Sequence, residues 1–283
     1  GTLWLMCQRV AYWFAFEASH FYRLPHLSVE ENARLFGKAS RHHGHNYQVE
    51  VVYQLAPQTP PAALETLALA TRQRIDAQFD HRCINLEHPA FRNQLPTTEN
   101  LALYLWRDLR EELNAPVDEV SVHESDTLAS AYAGEQATDS NGEARPVITL
   151  TRTYIFSAAH RLYNPQLSEE QNCALYGKCA NPHGHGHDYK LEITVKGVPD
   201  SITGMVINIT ELDALVQAQV LRDLDHKFLN EETPPFDQLP PTSENLVVFI
   251  VARLQPHLQG NARLHRVRLW ETLRSYFEWH AQP

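Results

Sequence analysis

Tyr176-Gly177-Lys178-Cys179-Ala180-Asn181-Pro182-His183-Gly184-His185-Gly186-His187-Asp188-Tyr189 is the stretch from which the rest of this chain can be read. The run after it, Lys190-Leu191-Glu192-Ile193-Thr194-Val195, alternates with period two and carries β-branched residues, which predicts a strand. His185 and His187 stand two apart at the strand's entry, so both imidazoles point to one face and can reach one ion. Gly184 and Gly186 leave the backbone free to bend or be approached closely. A third ligand must come from elsewhere.

The chain supplies it by being written twice. Phe16-Glu17-Ala18-Ser19-His20 matches Phe156-Ser157-Ala158-Ala159-His160. Leu35-Phe36-Gly37-Lys38-Ala39 matches Leu175-Tyr176-Gly177-Lys178-Cys179, and His43-Gly44-His45-Asn46-Tyr47 matches His185-Gly186-His187-Asp188-Tyr189. Asp80-His81 matches Asp225-His226, Thr97-Thr98-Glu99-Asn100 matches Thr242-Ser243-Glu244-Asn245, and Glu124 matches Glu271. Same-order matches of this length are a tandem duplication. Asp80 to Glu99 and Asp225 to Glu244 are both 19 positions, whereas His20 to His43 is 23 and His160 to His185 is 25. The two extra residues fall just after Cys179. Residues 134–146 are polar, lack periodicity and read as a linker between units 1–133 and 147–283.

Each copy predicts a strand into its first histidine (9–20, 148–160) and a strand after His-Gly-His (45–55, 187–197). A helix (62–78, 209–222), a proline-rich loop, a second helix (98–113, 243–258) and a last strand (117–124, 264–271) follow. A short extra strand is expected at 204–207. The fold class expected is α+β with antiparallel sheets.

His160 ends its strand on the face of Phe156 and Ala158. With His185 and His187 it makes three neutral imidazoles and an open fourth position, the donor set of a catalytic rather than a structural zinc site. His20, His43 and His45 repeat the set. His42 and His183 match nothing in the other copy and are read as non-ligands. Cys179, six residues before His185, is a thiol that a nearby cation would activate as base or nucleophile. Asp225-His226 has the composition of a proton relay, although neighbours on an extended segment face opposite ways and need not touch. Glu271 is placed to accept paired N–H groups from an amidine-like edge. Thr242, Ser243 and Glu244 either bind substrate or only start a helix.

Composition excludes some classes. A formal charge of −10 over 283 residues argues against non-specific nucleic-acid binding. No apolar run is long enough to span a membrane. Gly1–Cys7 lacks a basic n-region, so no signal peptide is expected. The four cysteines form no CxxC pair and read as reduced thiols of a cytoplasmic protein.

Together, Phe156 to His160, Gly177 to Tyr189, Asp225-His226 and Glu271 resemble the 6-pyruvoyl-tetrahydropterin synthase family, which includes the 6-carboxytetrahydropterin synthases of queuosine biosynthesis. The resemblance spans nearly everything but the linker. It implies two tandem tunnelling-fold (T-fold) units, each a four-stranded antiparallel sheet with two helices on one face. Such units join through sheet edges, and three two-unit chains would supply the six units of the usual assembly. It implies Zn2+ on His160, His185 and His187, and 7,8-dihydroneopterin triphosphate as substrate. Cys179 is then the base, Asp225 and His226 the relay, and Glu271 the anchor of the pterin edge, with Asp80, His81, Glu99 and Glu124 as the first copy's counterparts. The five residues between Cys179 and His185, with Asn181-Pro182 among them, resemble the pyruvoyl-forming branch. Ala39 cannot abstract a proton, so the second copy is the expected active unit. The family's usual Asp is Asn208 here, which predicts a weakened structural hydrogen bond. The readings in competition are a 6-carboxytetrahydropterin synthase, a non-catalytic pterin- or zinc-binding protein, and a zinc hydrolase indifferent to Cys179.

Overall fold

The computed structural model describes residues 8–282; the expectation for Gly1–Cys7, Cys7 included, lies outside them. Each copy opens with a pair of long strands. In the first, β1 (Gln8–His20) and β2 (His43–Leu55) are antiparallel, with His20 opposite His43 and Ala18 opposite His45. Tyr47, Val49, Val51 and Tyr53 are fully buried at every second position of β2, the alternation that one buried face requires. Burying side chains of this size stabilises by about 1.5–3 kcal/mol each. Then come a two-residue strand β3 (Arg82–Cys83), parallel to β1, and the hairpin β4 (Val117–Ser125) with β5 (Leu128–Tyr132). The helix Pro61–Phe79 lies on β1, and the helix Thr98–Glu112 on β4 and β5.

The second copy repeats this with β8 (Ile148–His160), β9 (His185–Gly197), β10 (Lys227–Phe228), β11 (Arg263–Thr272) and β12 (Ser275–His280). Its helices are Ile209–Val216, continued by a π-turn, and Ser243–Leu254. Tyr189, Leu191, Ile193 and Val195 are its buried alternation.

Two expectations are corrected. The two separate four-stranded antiparallel sheets are instead one ten-stranded mixed sheet, ordered β12-β11-β9-β8-β5-β4-β2-β1-β3, with β10 on β8. An unpaired edge strand exposes a row of backbone donors and acceptors, and here β5 pairs with β8 rather than remaining an edge. The extra strand expected at 204–207 does not form. The fourth strand of each copy is β5 or β12, while Gly204 sits at φ +69° and Val206 gives its N–H to a side chain. Residues 134–146, read as a linker, carry local structure. They contain a hairpin, β6 (Gln136–Thr138) with β7 (Ala144–Pro146), turned at Asn141-Gly142 with Asp139 Oδ1 accepting from the Asn141 and Glu143 amides.

By contacts the chain divides into two compact units. Unit 1 runs to Thr151 and adds Lys196–Thr210; unit 2 is Arg152–Val195 with the residues from Glu211 onward. A segment written in the second copy is therefore part of unit 1. Among the described residues no helix is long and apolar enough to cross a membrane.

Candidate active site

In unit 2 the strand registry brings His160, His185 and His187 together with Glu271, each offering one donor atom within 4.8 Å of the others. In unit 1, His20, His43 and His45 meet in the same way. The Nε2 atoms of His160 and His185 are 3.2 Å apart, and those of His20 and His43 likewise 3.2 Å. Four-coordinate zinc at about 2.0–2.1 Å from nitrogen sets ligand nitrogens about 3.3 Å apart, so these pairs are spaced as such a site requires. His187 Nε2 and His45 Nε2 are buried and make no well-aligned hydrogen bond, each having only a carboxylate oxygen close by, and an ion would satisfy them. Both triads fit zinc.

The surroundings hold the rings neutral and aimed. His160 Nδ1 lies 2.9 Å from the Pro241 carbonyl and His20 Nδ1 3.3 Å from that of Pro96; a proton held there leaves the Nε2 lone pair free. Burial, then the neighbouring imidazoles, lowers His20 to about 3 and His45 to about 4. Burial likewise lowers His160 and His185. Gly184, at φ +72°, has no room for a side chain: a Cβ there would lie 2.9 Å from the Phe228 ring and 3.0 Å from the His160 carbonyl oxygen.

Cys179 is half-buried in a 3-10 turn, Gly177–Ala180, that follows the helix Glu169–Tyr176. Its carbonyl accepts from Leu162 N at 2.8 Å, tying the turn to the residues just after His160. The four-donor group does not include Cys179. Asn172 fixes the entry to this turn. It is fully buried, accepts from Asn164 N, and donates to the carbonyls of Asn164, Leu167 and Ser168. Ser168 and Gln171 complete a capping box on the same helix. Asn32 does the same work in unit 1. The sequence reading missed both, although Ser28…Glu31-Asn32 and Ser168…Gln171-Asn172 recur in register.

Asp225 and His226, which extended geometry does not require to meet, do touch. His226 has φ +57°, so its ring turns back, and its Nδ1 lies 2.8 Å from Asp225 Oδ1. That oxygen also accepts from Ser157 N at 3.0 Å, and His226 N donates to Ser157 O. Asp80 and His81 repeat the arrangement on Glu17, with His81 at φ +57°. The Asp80 carboxylate raises the exposed His81 above its ordinary value. His226 faces a groove of about 470 Å³ lined by Ser157, Asp188 and Phe228 among others; Cys179 is not among those lining it.

Glu271 Oε1 lies 3.0 Å from His187 Nε2, and Ser243 Oγ donates to Oε2. Thr242 caps the helix Ser243–Leu254, and Glu244 is exposed in its first turn. In unit 1 the contacts differ. Glu124 Oε1 lies 3.3 Å from His45 Nε2 while Oε2 accepts from Tyr22 OH at 3.2 Å. Thr98 pairs with Ser130 and with Glu99. Glu99 is 2% exposed, and burial pushes its carboxyl up to about 7. Asn208 does what a carboxylate could not: its Nδ2 donates to Leu35 O at 2.7 Å while Oδ1 still accepts from Thr210 N. His42 bonds Ser19 and stands outside the triad.

The 6-pyruvoyl tetrahydropterin synthase family matches the chain at residues 9–135 and again at 149–282. A 6-pyruvoyl tetrahydrobiopterin synthase of Drosophila melanogaster is 46% identical over 128 residues, 45% of this chain and 76% of that protein. The Homo sapiens protein of that name is 42% identical over 131 residues, 46% of this chain and 90% of its own length. The solved structure of the Caenorhabditis elegans 6-pyruvoyl tetrahydropterin synthase aligns at 32% identity over 49% of this chain and 98% of that one, with a TM-score of 0.46. With its two metal triads, each framed by an Asp-His dyad and a strand-end glutamate, the chain belongs, in both halves, to the 6-pyruvoyl tetrahydropterin synthase family of lyases.

Proposed function

We propose that unit 2 carries a 6-pyruvoyl-tetrahydropterin synthase activity, converting 7,8-dihydroneopterin triphosphate with loss of triphosphate. The observation that carries this is Cys179: its turn is anchored next to His160 in the one unit that has a thiol there, while unit 1 has Ala39. His160, His185 and His187 would hold zinc, which when bound supplies Lewis-acid polarisation of the substrate's side-chain hydroxyls. Cys179 takes a proton from the side-chain carbon so exposed to attack. Glu271, two oxygens at the end of β11, accepts the paired N–H groups of the pterin edge and so sets that carbon against the thiol. Ser243 steadies the carboxylate from the helix start.

The relay to and from Cys179 comes from an Asp-His dyad of a neighbouring chain. His226 opens onto a groove whose lining does not include Cys179, which supports this. The free outer edge of β12, the counterpart of the paired β5, supports sheet-edge joining of chains. The assembly proposed is a homotrimer, six units in all, of halves 1–133 and 147–283.

Incubation with 7,8-dihydroneopterin triphosphate and mass identification of the product tests the reading. The pyruvoyl product with free triphosphate is expected. The 6-carboxy product would move the protein to the queuosine branch, and no turnover would leave a pterin- or zinc-binding protein.

A further inference from the structure

The duplication allows the turn that carries Cys179 to be compared with its counterpart, and the two turns are held by the same bonds from different residues. In unit 2 the 3-10 turn Gly177–Ala180 offers three carbonyls in succession. Lys178 O accepts from Asn181 N, Cys179 O from Leu162 N at 2.8 Å, and Ala180 O from Arg161 Nε at 2.8 Å. In unit 1 the turn Gly37–Ser40 is bonded likewise. Lys38 O accepts from Arg41 N, Ala39 O from Tyr22 N at 2.8 Å, and Ser40 O from Arg23 Nε at 2.7 Å.

The arginine is not at the same place in the two copies. Counted from the triad histidine that ends the strand, it is the first residue after His160 but the third after His20. An aromatic residue exchanges with it: Tyr163 is third in unit 2 and Phe21 is first in unit 1. Each guanidinium lies over the ring at the other position, Arg161 4.3 Å from the centre of Tyr163 and Arg23 4.9 Å from that of Phe21. Residues two apart on extended chain share a face, so either order sets the pair side by side. A planar guanidinium can stack on a ring and still donate from its edge. The residue between them, Leu162 or Tyr22, gives the backbone N–H that bonds the preceding carbonyl of the turn. The position of the arginine has changed between the copies, and the bond it makes has not.

We infer that Arg161 is a positioning residue for Cys179. Through Ala180 O, with Leu162 N on Cys179 O as the second point, it fixes the turn on which the thiol stands. Ala180 is fully buried, so its carbonyl has no water to turn to when the donor is removed. Unit 1 keeps the same anchor at Ala39, where there is no thiol to aim; the anchor belongs to the turn, and in unit 2 the turn carries the base. Arg161 Nη2 also pairs with Glu169 at 2.5 Å. Val29 stands at that position in unit 1, and the turn there is held without such a pair. The effect on turnover rests on the lyase reading of unit 2, and the anchor does not.

The test reads turnover and hydrogen exchange on the intact zinc-loaded chain. Arg161→Ala should lower kcat about tenfold to a hundredfold with KM and zinc content unchanged, the cost of a reacting group set loose by about 1 Å. Exchange of the Leu162 amide and of the turn should quicken about tenfold or more. The double variant Arg161→Phe with Tyr163→Arg writes the order of unit 1 into unit 2. It should return kcat and exchange to within about threefold of the native protein, because the donor again reaches Ala180 O. A role of bulk or charge at position 161 itself would not be recovered from position 163. Native kcat in Arg161→Ala, or a double variant no better than Arg161→Ala, would overturn the inference. If Arg161→Ala loses its zinc or the protection of β9, the double variant alone decides. If the native protein shows no turnover, the lyase reading has failed in the product assay, and exchange decides whether Arg161 holds the turn.

Discussion

The two halves of this molecule keep the same three histidines and differ in what surrounds them. In unit 1 the carboxylate at the strand end is held by Tyr22, the equivalent of the thiol is Ala39, and the carboxyl in the first turn of the helix is buried under Val206. In unit 2 the carboxylate is held by Ser243, the thiol is Cys179, and Glu244 is in water. A metal-ligand set is thus compatible with opposite environments. The triad determines where an ion goes; the groups around it determine which side chains could act beside the ion. Reading function from the histidines alone would assign both halves the same task.

The largest effect expected is at the thiol. Cys179→Ala should lower turnover by about 10²- to 10⁴-fold, the range in which a positioned base contributes, without changing zinc content. Zinc content is measured on the same sample, because loss of metal would give the same kinetics for a different reason. Activity within a few-fold of the native protein would assign the chemistry elsewhere and favour a hydrolase that uses metal-bound water.

A smaller and more discriminating effect separates the two dyads. If the first copy retains Asp80 and His81 in order to serve Cys179 of a neighbouring chain, His81→Ala should lower kcat at least roughly tenfold, with His226→Ala costing less. Both rings are surface groups, so neither variant should disturb the fold. Full activity in His81→Ala would end that explanation for the first copy's dyad.

Much of the site was legible because metal ligation leaves a local signature. His-Gly-His at a strand entry is a spacing argument, and the repeat supplied His160 and His20. The duplicated strands were legible through alternation, and β2 and β9 fall where alternation placed them. What escaped was long-range or conformational. The pairing of β5 with β8 joins segments that carry no local mark of one another, so it turned two expected sheets into one. Leu128-Ala129-Ser130-Ala131-Tyr132 has no β-branched residue to announce a strand, whereas Tyr276-Phe277-Glu278-Trp279 should have been read as one from its aromatics. The contact between Asp225 and His226 depends on a positive φ at a histidine, which few non-glycine residues adopt. Residues 204–208 were legible only as a segment the first copy lacks; that they fold onto unit 1 follows from Thr97, Glu99 and Leu35, about a hundred positions or more away.

The last effect concerns stability and probes the segment 204–208 directly. Glu99 ionises near 4.5 in an unfolded chain and near 7 in unit 1, where burial opposes its charge more than the Val206 and Thr98 hydrogen bonds favour it. Between those values the folded protein holds a proton that the unfolded chain has released. Its contribution is therefore present in full below about 4.5, declines as pH rises to about 7, and is flat above that. The loss is on the order of 3 kcal/mol at most. Glu99→Gln keeps an oxygen for the Val206 N–H and carries no charge, so it should remove this slope and leave unit 1 more stable than the native protein at pH 8. The readout is hydrogen exchange of peptides from unit 1, followed across pH and corrected for intrinsic rates, because a two-unit chain need not unfold in one step. If Glu99→Gln retains the native slope, the carboxyl beneath Val206 is not buried as described, and the contrast between Glu99 and the exposed Glu244 loses its support.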